Sequence, residues 1–493
     1  MYTLAAAILC TLLLGGLRLD LARSVGLSDA EALFVAYGFH PQAAYVDYPG
    51  LIGWFSRALA PEPWTVHVAT TAAATALPWL GVLAARAGGA TRDQALRVYF
   101  PLALLPALSI GSFAFSPDLL LCYFWLCALG SVSLALRRPA TSFVGLLAAV
   151  FAGVSAALAC LSKPSGWLLA LALALCCLGR VERQRFRTIA PWAALGMFAI
   201  LVTPLVTYGW AHGVGLRLGP ELSLQHAALV LFRPLLSATP PFLIAGGLAA
   251  KNLYDRSRQG SVERALWLQL LVPLLPMAVL AIASSAEADW LTPTYLVLSL
   301  GIARLPPLRR SLTAACLVVG GGVALLGWCW LRTSLPVVTG QWLGGYDATL
   351  DASNDYFAWS SGKQLLEDAV AAARERTGQT PIIVGPHWSV CAQAEVALAG
   401  QVHVGCDTSE RDDYDDWSDP SQWSRAQTLL FVTDSRFHPV PPESFYGREA
   451  VSVHRAAVER FGQVVRELSV SEFDLDEGTA SEPRPHDAVT RAR

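Results

Sequence analysis

Charge is scarce in this chain. Asp, Glu, Lys and Arg make up 15% of its 493 residues, against roughly 25% in an ordinary soluble domain. No surplus of one sign exists either: 36 basic residues face 38 acidic ones, for a net charge of −2. A basic footprint for nucleic acid is therefore missing, and nucleic acid is excluded as a partner class. No CxxC pair occurs among the ten cysteines, which removes the common zinc frameworks. All but Cys391 and Cys406 lie in apolar sequence, where a small buried thiol is ordinary packing. Those two could pair if they face an oxidising compartment. His40, His212 and His226 are not linked by an HxH or HExxH spacing, so zinc has no motif behind it and a divalent metal is left open. The N-terminus lacks a positive n-region and a small-residue cleavage site, so Met1–Leu19 reads as a first membrane helix rather than a secretory signal.

What is present is apolar sequence: 54% of residues are hydrophobic, and the mean hydropathy is +0.43. About 20 apolar residues are needed to cross a bilayer as a helix. Segments of that kind are predicted near 1–19, 66–86, 97–113, 118–136, 142–160, 164–179, 189–210, 233–250, 265–284, 290–303 and 311–332. These describe a polytopic α-helical membrane protein of about eleven transmembrane helices. Residues 1–335 form its membrane domain. Residues 341–470 follow as a small α/β soluble domain, and 471–493 as a polar tail expected to be disordered.

Lys and Arg mark the cytoplasmic side of membrane helices. One set of alternate loops carries Arg86, Arg92, Arg97, Arg137, Arg138, Arg180, Arg183, Arg185 and Arg187, then Lys251, Arg256, Arg258, Arg264, Arg304, Arg309 and Arg310. The opposite set holds only Arg18, Arg23, Arg57, Lys163, Arg217 and Arg233, with Arg18 and Arg23 running against the local bias. The N-terminus is thus expected inside and the C-terminal domain outside. Asp29, Glu31, Asp47, Asp118, Lys163, Glu287 and Asp289 then all fall on the outer face, although the six acids among them played no part in sorting the loops. Span interiors are nearly free of ionisable residues, which counts against an ion-coupled transporter.

In the C-terminal part, Lys363–Arg376 has helical periodicity, and 381–385, 401–405 and 428–434 read as strands around a helix near 389–399, suggesting a parallel sheet. No GxGxxG or Walker loop accompanies it, so nucleotide binding is not expected. The acidic run from Asp407 to Asp419 reads as a solvated loop, or else as a holder of an acceptor or cation.

Several short motifs lie on the outer face in order. They are Ser28-Asp29-Ala30-Glu31-Ala32, Tyr45-Val46-Asp47-Tyr48-Pro49-Gly50, Ser116-Pro117-Asp118, Leu161-Ser162-Lys163 and Asp289-Trp290-Leu291-Thr292-Pro293-Thr294-Tyr295. Over about the first 335 residues this series resembles the GT-C glycosyltransferases, in particular the family of protein O-mannosyltransferases and the lipid A aminoarabinose transferase. That family carries an adjacent Asp-Glu pair in its first motif and a His-Pro-Pro in its second. Here the acids are separated by Ala30, and Tyr48-Pro49-Gly50 replaces the His-Pro-Pro. Either Asp29 or Glu31 could therefore match the family's catalytic acid. Asp415-Asp416-Trp417-Ser418-Asp419-Pro420 resembles the family only loosely.

The resemblance implies a GT-C-like membrane enzyme that takes a sugar from a polyprenyl-phosphate-linked donor and passes it to a lipid, glycan or protein acceptor outside the membrane. An acceptor hydroxyl needs a carboxylate to take its proton; Asp29 and Glu31 are the candidates, with Asp118 orienting acceptor, donor or metal. A departing phosphate needs a cation; Lys163 is the first candidate, with Arg57 and Arg233 assisting. Lys163 precedes Pro164 and is expected to open a helix whose amides would add to the anion site. Asp47, Tyr48, Glu287, Asp289 and Trp290 are candidates for binding sugar. Plainer readings stand beside these: Lys163 as an interfacial lysine, Asp118 as an acid favoured at a helix N-terminus, Asp47 as a turn former, Trp290 as an interfacial anchor. The rival function is a non-catalytic binder or transporter of lipid-linked saccharide.

Overall fold

In the computed structural model of the chain, residues 2–179, 182–212, 237–283, 291–306, 310–437 and 442–474 are described. A helix stands at each of the eleven expected places. Among the described residues, six helices are long and apolar enough to cross a membrane, or seven if one bent pair is counted as a single span. The protein is thus a polytopic membrane protein.

The bent pair is the segment expected as a straight span at 97–113. Helix Arg92–Leu104 starts on a Thr91/Gln94 capping box and stops at Leu105, whose backbone is extended (φ −65°, ψ 127°). Pro106 disfavours helical geometry in the residue before it, and the two halves meet at 77°. Carbonyls freed near the break are taken up by Arg18, buried in helix Tyr2–Ser24. Its guanidinium donates to the carbonyl oxygens of Ser109 at 2.9 Å and Leu108 at 3.3 Å. Arg18, which ran against the charge bias in sequence, is therefore a buried capping group and not a loop residue. On the basic side, Arg185 likewise donates to the carbonyls of Ala135 and Leu136, closing helix Pro117–Arg137.

The chain divides into two units. Met1–Asp20, Ala43–Ile52 and His67–Trp328 form the membrane unit. Its core gathers Trp125, Leu126 and Leu129 from helix Pro117–Arg137 with Leu296 and Val297 from helix Thr292–Ile302. At 11 residues that last helix is only about 16 Å long, and every residue from Thr292 to Gly301 is buried. It is a helix enclosed by protein, which explains why its apolar signal was shorter than a span requires.

Leu21–Gln42, Gly53–Val66 and Cys329–Arg493 form the second, α/β unit, so the first loop belongs with the C-terminal sequence. A six-stranded sheet runs in the order β2-β1-β3-β6-β5-β4. The strands are β1 (Ile382–Gly385), β2 (Val404–Cys406), β3 (Thr428–Asp434), β4 (Ser444–Phe445), β5 (Arg448–Arg460) and β6 (Gln463–Asp474). β2, β1 and β3 are parallel, as expected; β6, β5 and β4 extend the sheet antiparallel. The β5–β6 hairpin turns at Phe461 and Gly462, both with positive φ, the geometry that matches strand twist. It was not foreseen because β5 is largely exposed and rich in charge and alanine. β6 also runs through residues 471–474, expected as disordered, with Ser471 and Phe473 buried; the remainder of that tail, 475–493, lies outside the described residues. Helix Gly362–Thr377 closes on Gly378 (φ 70°) and is tied to β6 by ion pairs from Arg376 to Glu472 and Asp474.

Candidate functional site

In the α/β unit the two first-loop acids open a short helix, Asp29–Ala36. Ser28 and Glu31 form a reciprocal capping box: Glu31 Oε2 accepts from the Ser28 amide at 2.9 Å and its hydroxyl at 3.0 Å. Such a box satisfies two otherwise unpaired helix-start donors. Glu31 is 1% exposed.

Asp29, one turn face away, has different surroundings. The helix packs on Trp388–Ala397 of the same unit, and Gln393 Nε2 donates to Asp29 Oδ1 at 3.1 Å and to the Leu27 carbonyl at 3.0 Å. Arg436 Nη1 reaches Asp29 Oδ2 at 2.6 Å. The other edge of that guanidinium, Nε and Nη2, clamps Asp434 at 3.1 and 2.7 Å. Arg466 bridges Asp434 at 3.3 Å and Asp355 at 2.8 Å. Three carboxylates thus share two guanidiniums. Burial and the negative charge of Asp29 push the Asp355 carboxyl above its ordinary range. Burial alone would raise Asp434 too, but its hydrogen bonds and the charges of Arg436 and Arg466 outweigh that and hold it low.

The topology places this cluster. Gln393 lies on the helix after β1, and Arg436 lies two residues beyond the end of β3. In the order β2-β1-β3 the chain leaves β1 for β2 on one side and then crosses to β3 on the other, so the carboxyl ends of β1 and β3 flank a switch point, where open α/β sheets bind ligands. His387 and Phe437 stack beside it at 4.5 Å. Burial and the Arg436 charge lower the His387 pKa and favour its neutral form.

A second cluster joins the end of the first loop to the acidic run. His40 Nε2 lies 2.6 Å from Glu395 and its ring stacks on Trp417 at 4.2 Å. Tyr414 donates to Glu395 and Tyr37 to Asp413, each at 2.8 Å. The acidic run is therefore not simply solvated: Asp413, Tyr414 and Ser418 are buried. Cys391 and Cys406 are free thiols, so the disulfide left open by the sequence is not formed. Cys391 donates to the Gly405 carbonyl at 3.3 Å. Desolvation raises the Cys391 thiol, and the neighbouring Cys391 hydrogen bond with burial raises Cys406.

In the membrane unit, Lys163 and Asp118 form a two-pronged ion pair, Nζ to Oδ1 at 2.8 Å and Oδ2 at 2.9 Å. Lys163 does not open a helix. It is the extended C-cap of Phe143–Ser162, because Pro164 bars helical geometry at the residue before it; the next helix begins at Gly166. Asp118 sits in the first turn of Pro117–Arg137. Each charge is at the helix end that favours its sign. Asp47 stands exposed at the tip of a tight turn closed by Tyr45 N to Tyr48 O at 2.7 Å and Gly50 N to Ala43 O at 3.0 Å; Tyr48 is half-buried there. Arg57, in the α/β unit, is exposed at the end of helix Leu51–Arg57. Arg233, Glu287, Asp289 and Trp290 lie outside the described residues. No group of three or more His, Cys, Asp or Glu able to hold a metal occurs among the described residues.

Sequence reasoning missed Gln393, Asp355, Arg436 and Arg466. Their one local signal was the charged Asp434-Ser435-Arg436 at the end of a predicted strand.

These features define an integral membrane protein with the GT-C fold. The chain is similar to ArnT from Cupriavidus metallidurans bound to undecaprenyl phosphate, with a TM-score of 0.58 and 13% identity over 95% of this chain and 97% of that one. The apo state of that protein matches equally. The oligosaccharyltransferase of Archaeoglobus fulgidus tethered to an acceptor peptide gives a TM-score of 0.51 and 11% identity, over 82% of this chain and 63% of that one. The sequence matches no family model and no curated protein.

Proposed function

We propose that the protein is a glycosyltransferase that moves a sugar from a polyprenyl-phosphate-linked donor to a hydroxyl on a lipid, glycan or protein. The observation that carries this is the GT-C fold across 95% of the chain, in which the first-loop acid is built into a polar crevice. ArnT and the oligosaccharyltransferase handle a lipid phosphate and an acceptor peptide respectively, which supports the substrate classes. The long apolar helices cross a bacterial plasma membrane, and residues 341–470 stand in water on its outer side.

Asp29 is the general base. It takes the acceptor hydroxyl's proton as that oxygen bonds to the anomeric carbon, while the bond from that carbon to the donor phosphate breaks and polyprenyl phosphate leaves. Glu31 keeps the helix start. Lys163 offsets charge on the departing phosphate, with Arg57 and Arg233 assisting. Asp118 holds Lys163, and Asp47, Tyr48, Glu287, Asp289 and Trp290 contact sugar or acceptor.

Purified protein is assayed with a panel of polyprenyl-phosphate-linked sugars and a membrane-extract acceptor, beside Asp29→Asn, Glu31→Gln and Lys163→Ala. Transfer by the wild type that is lost in Asp29→Asn and Lys163→Ala supports the enzyme. Folded protein that binds the donors without turnover makes the chain a saccharide-lipid binder or transporter instead.

A further inference from the structure

We infer that Arg436 and Gln393 are positioning residues that fix the Asp29 carboxylate for proton transfer, an inference that rests on Asp29 being the base. Each oxygen of Asp29 has its own donor, Gln393 to Oδ1 and Arg436 to Oδ2. The two donors come from different segments, one after β1 and one after β3, so the carboxylate plane is set from two directions.

Arg436 is itself held. A guanidinium is a rigid fork that can serve two carboxylates along different edges. Its Nε–Nη2 edge is spent on Asp434, which is 1% exposed and also accepts the Arg436 backbone amide at 2.9 Å. The ring of Phe437 lies 5.1 Å from the guanidinium carbon, and Arg466 pins Asp434 from the other side. The remaining nitrogen, Nη1, is left directed at Asp29. Gln393 is 5% exposed, and its second contact, to the Leu27 carbonyl, fixes the chain just before the Asp29 helix. An anchored base differs from a carboxylate on a free loop, since displacement by about 1 Å can cost about a hundredfold in rate.

Glu31 shows the contrast. Ser28, which binds its carboxylate, lies within its own helix start, whereas both donors to Asp29 come from sequence more than 360 residues away.

The test uses full-length protein with whichever donor of the panel is turned over. Arg436→Gln and Gln393→Ala are expected to lower kcat by about 10- to 100-fold with KM changed less than about twofold. Arg436→Lys, which keeps one charge but not the fork, should recover part of the loss. The double variant Asp29→Asn/Arg436→Gln should be no slower than Asp29→Asn alone, because a positioning residue has nothing to act on once the base is gone. A donor-independent arm measures carbodiimide labelling of Asp29 by peptide mass spectrometry, expected to accelerate in Gln393→Ala and Arg436→Gln. If Arg436→Gln does not fold, Gln393→Ala and Arg436→Lys decide the matter. Wild-type kcat and labelling in those two, with Asp29→Asn inactive, overturns the positioning role and leaves the base. Full turnover by Asp29→Asn removes the base itself, and the positioning role with it.

Discussion

Replacing Asp412 by Asn should stabilise the α/β unit at neutral pH. Burial, countered in part by a hydrogen bond with Cys406, pushes the Asp412 carboxyl up to about 6 from an ordinary 3.8. A folded-state value above the unfolded one means that the folded protein binds the proton more tightly. The associated stability is fully present below about pH 4 and is lost as pH rises through about 6. At 1.36 kcal/mol per pH unit that gap amounts to about 3 kcal/mol, and residual solvent contact reduces it to about 2 kcal/mol. Asn carries no charge to desolvate, and its amide oxygen can still accept the Tyr414 amide that Asp412 Oδ1 accepts at 2.9 Å. The expected gain is therefore near zero at pH 4 and complete above pH 7. For a unit of this size it appears as about 4–8 °C in Tm. Tryptophan-fluorescence melting of both proteins in detergent from pH 4 to 8 reads it directly. His387 and His403, whose burial favours their neutral forms, are common to both proteins and cancel in the difference. An equal or lower Tm for Asp412→Asn at pH 8, or a gain that persists at pH 4, would refute the reasoning.

Other outcomes follow from the same structure. Lys163→Ala removes the cation paired with Asp118, and losing one member of this part-buried pair costs about 2 kcal/mol; the Lys163→Met/Asp118→Asn double variant should regain most of that Tm. If Lys163 also serves the donor phosphate, the double variant stays inactive in the transfer assay, whereas full recovery of turnover would leave Lys163 a purely structural role. Glu31→Gln retains a capping oxygen and should lose no more than about 1 kcal/mol and little transfer; loss of turnover in a variant that melts normally would move the base from Asp29 to Glu31. Cys391, raised by burial, and Cys406, raised by its hydrogen bond with Cys391 and by burial, should resist iodoacetamide at pH 7.5 until denaturant is added. Rapid native labelling, read by mass spectrometry, would contradict their enclosure.

The places of the helices were legible in the sequence because a bilayer demands long apolar runs, and that demand is local. The parallel strands at 382–385 and 428–434 were legible for the same reason, as buried apolar runs between turn residues. A single proline, Pro106, broke one expected span, and Pro164 moved Lys163 from a helix start to a helix end; both effects are local and could have been read. Strand β5 could not, since its exposed, charged face carries no burial signal and its pairing with β6 is decided by the sheet.

Asp29 and Glu31 were both visible as acids two residues apart, and sequence left them equal. Tertiary structure separated them. Glu31 completes a cap whose partner is three residues away, while Asp29 meets Gln393 and Arg436 from positions more than 360 residues distant. Which acids come to share a guanidinium depends on where strand ends converge, and no periodicity along the chain encodes that. The amino-acid sequence alone determined that this is a membrane protein and which residue types its chemistry can use; the folded chain decided which of them are held in place.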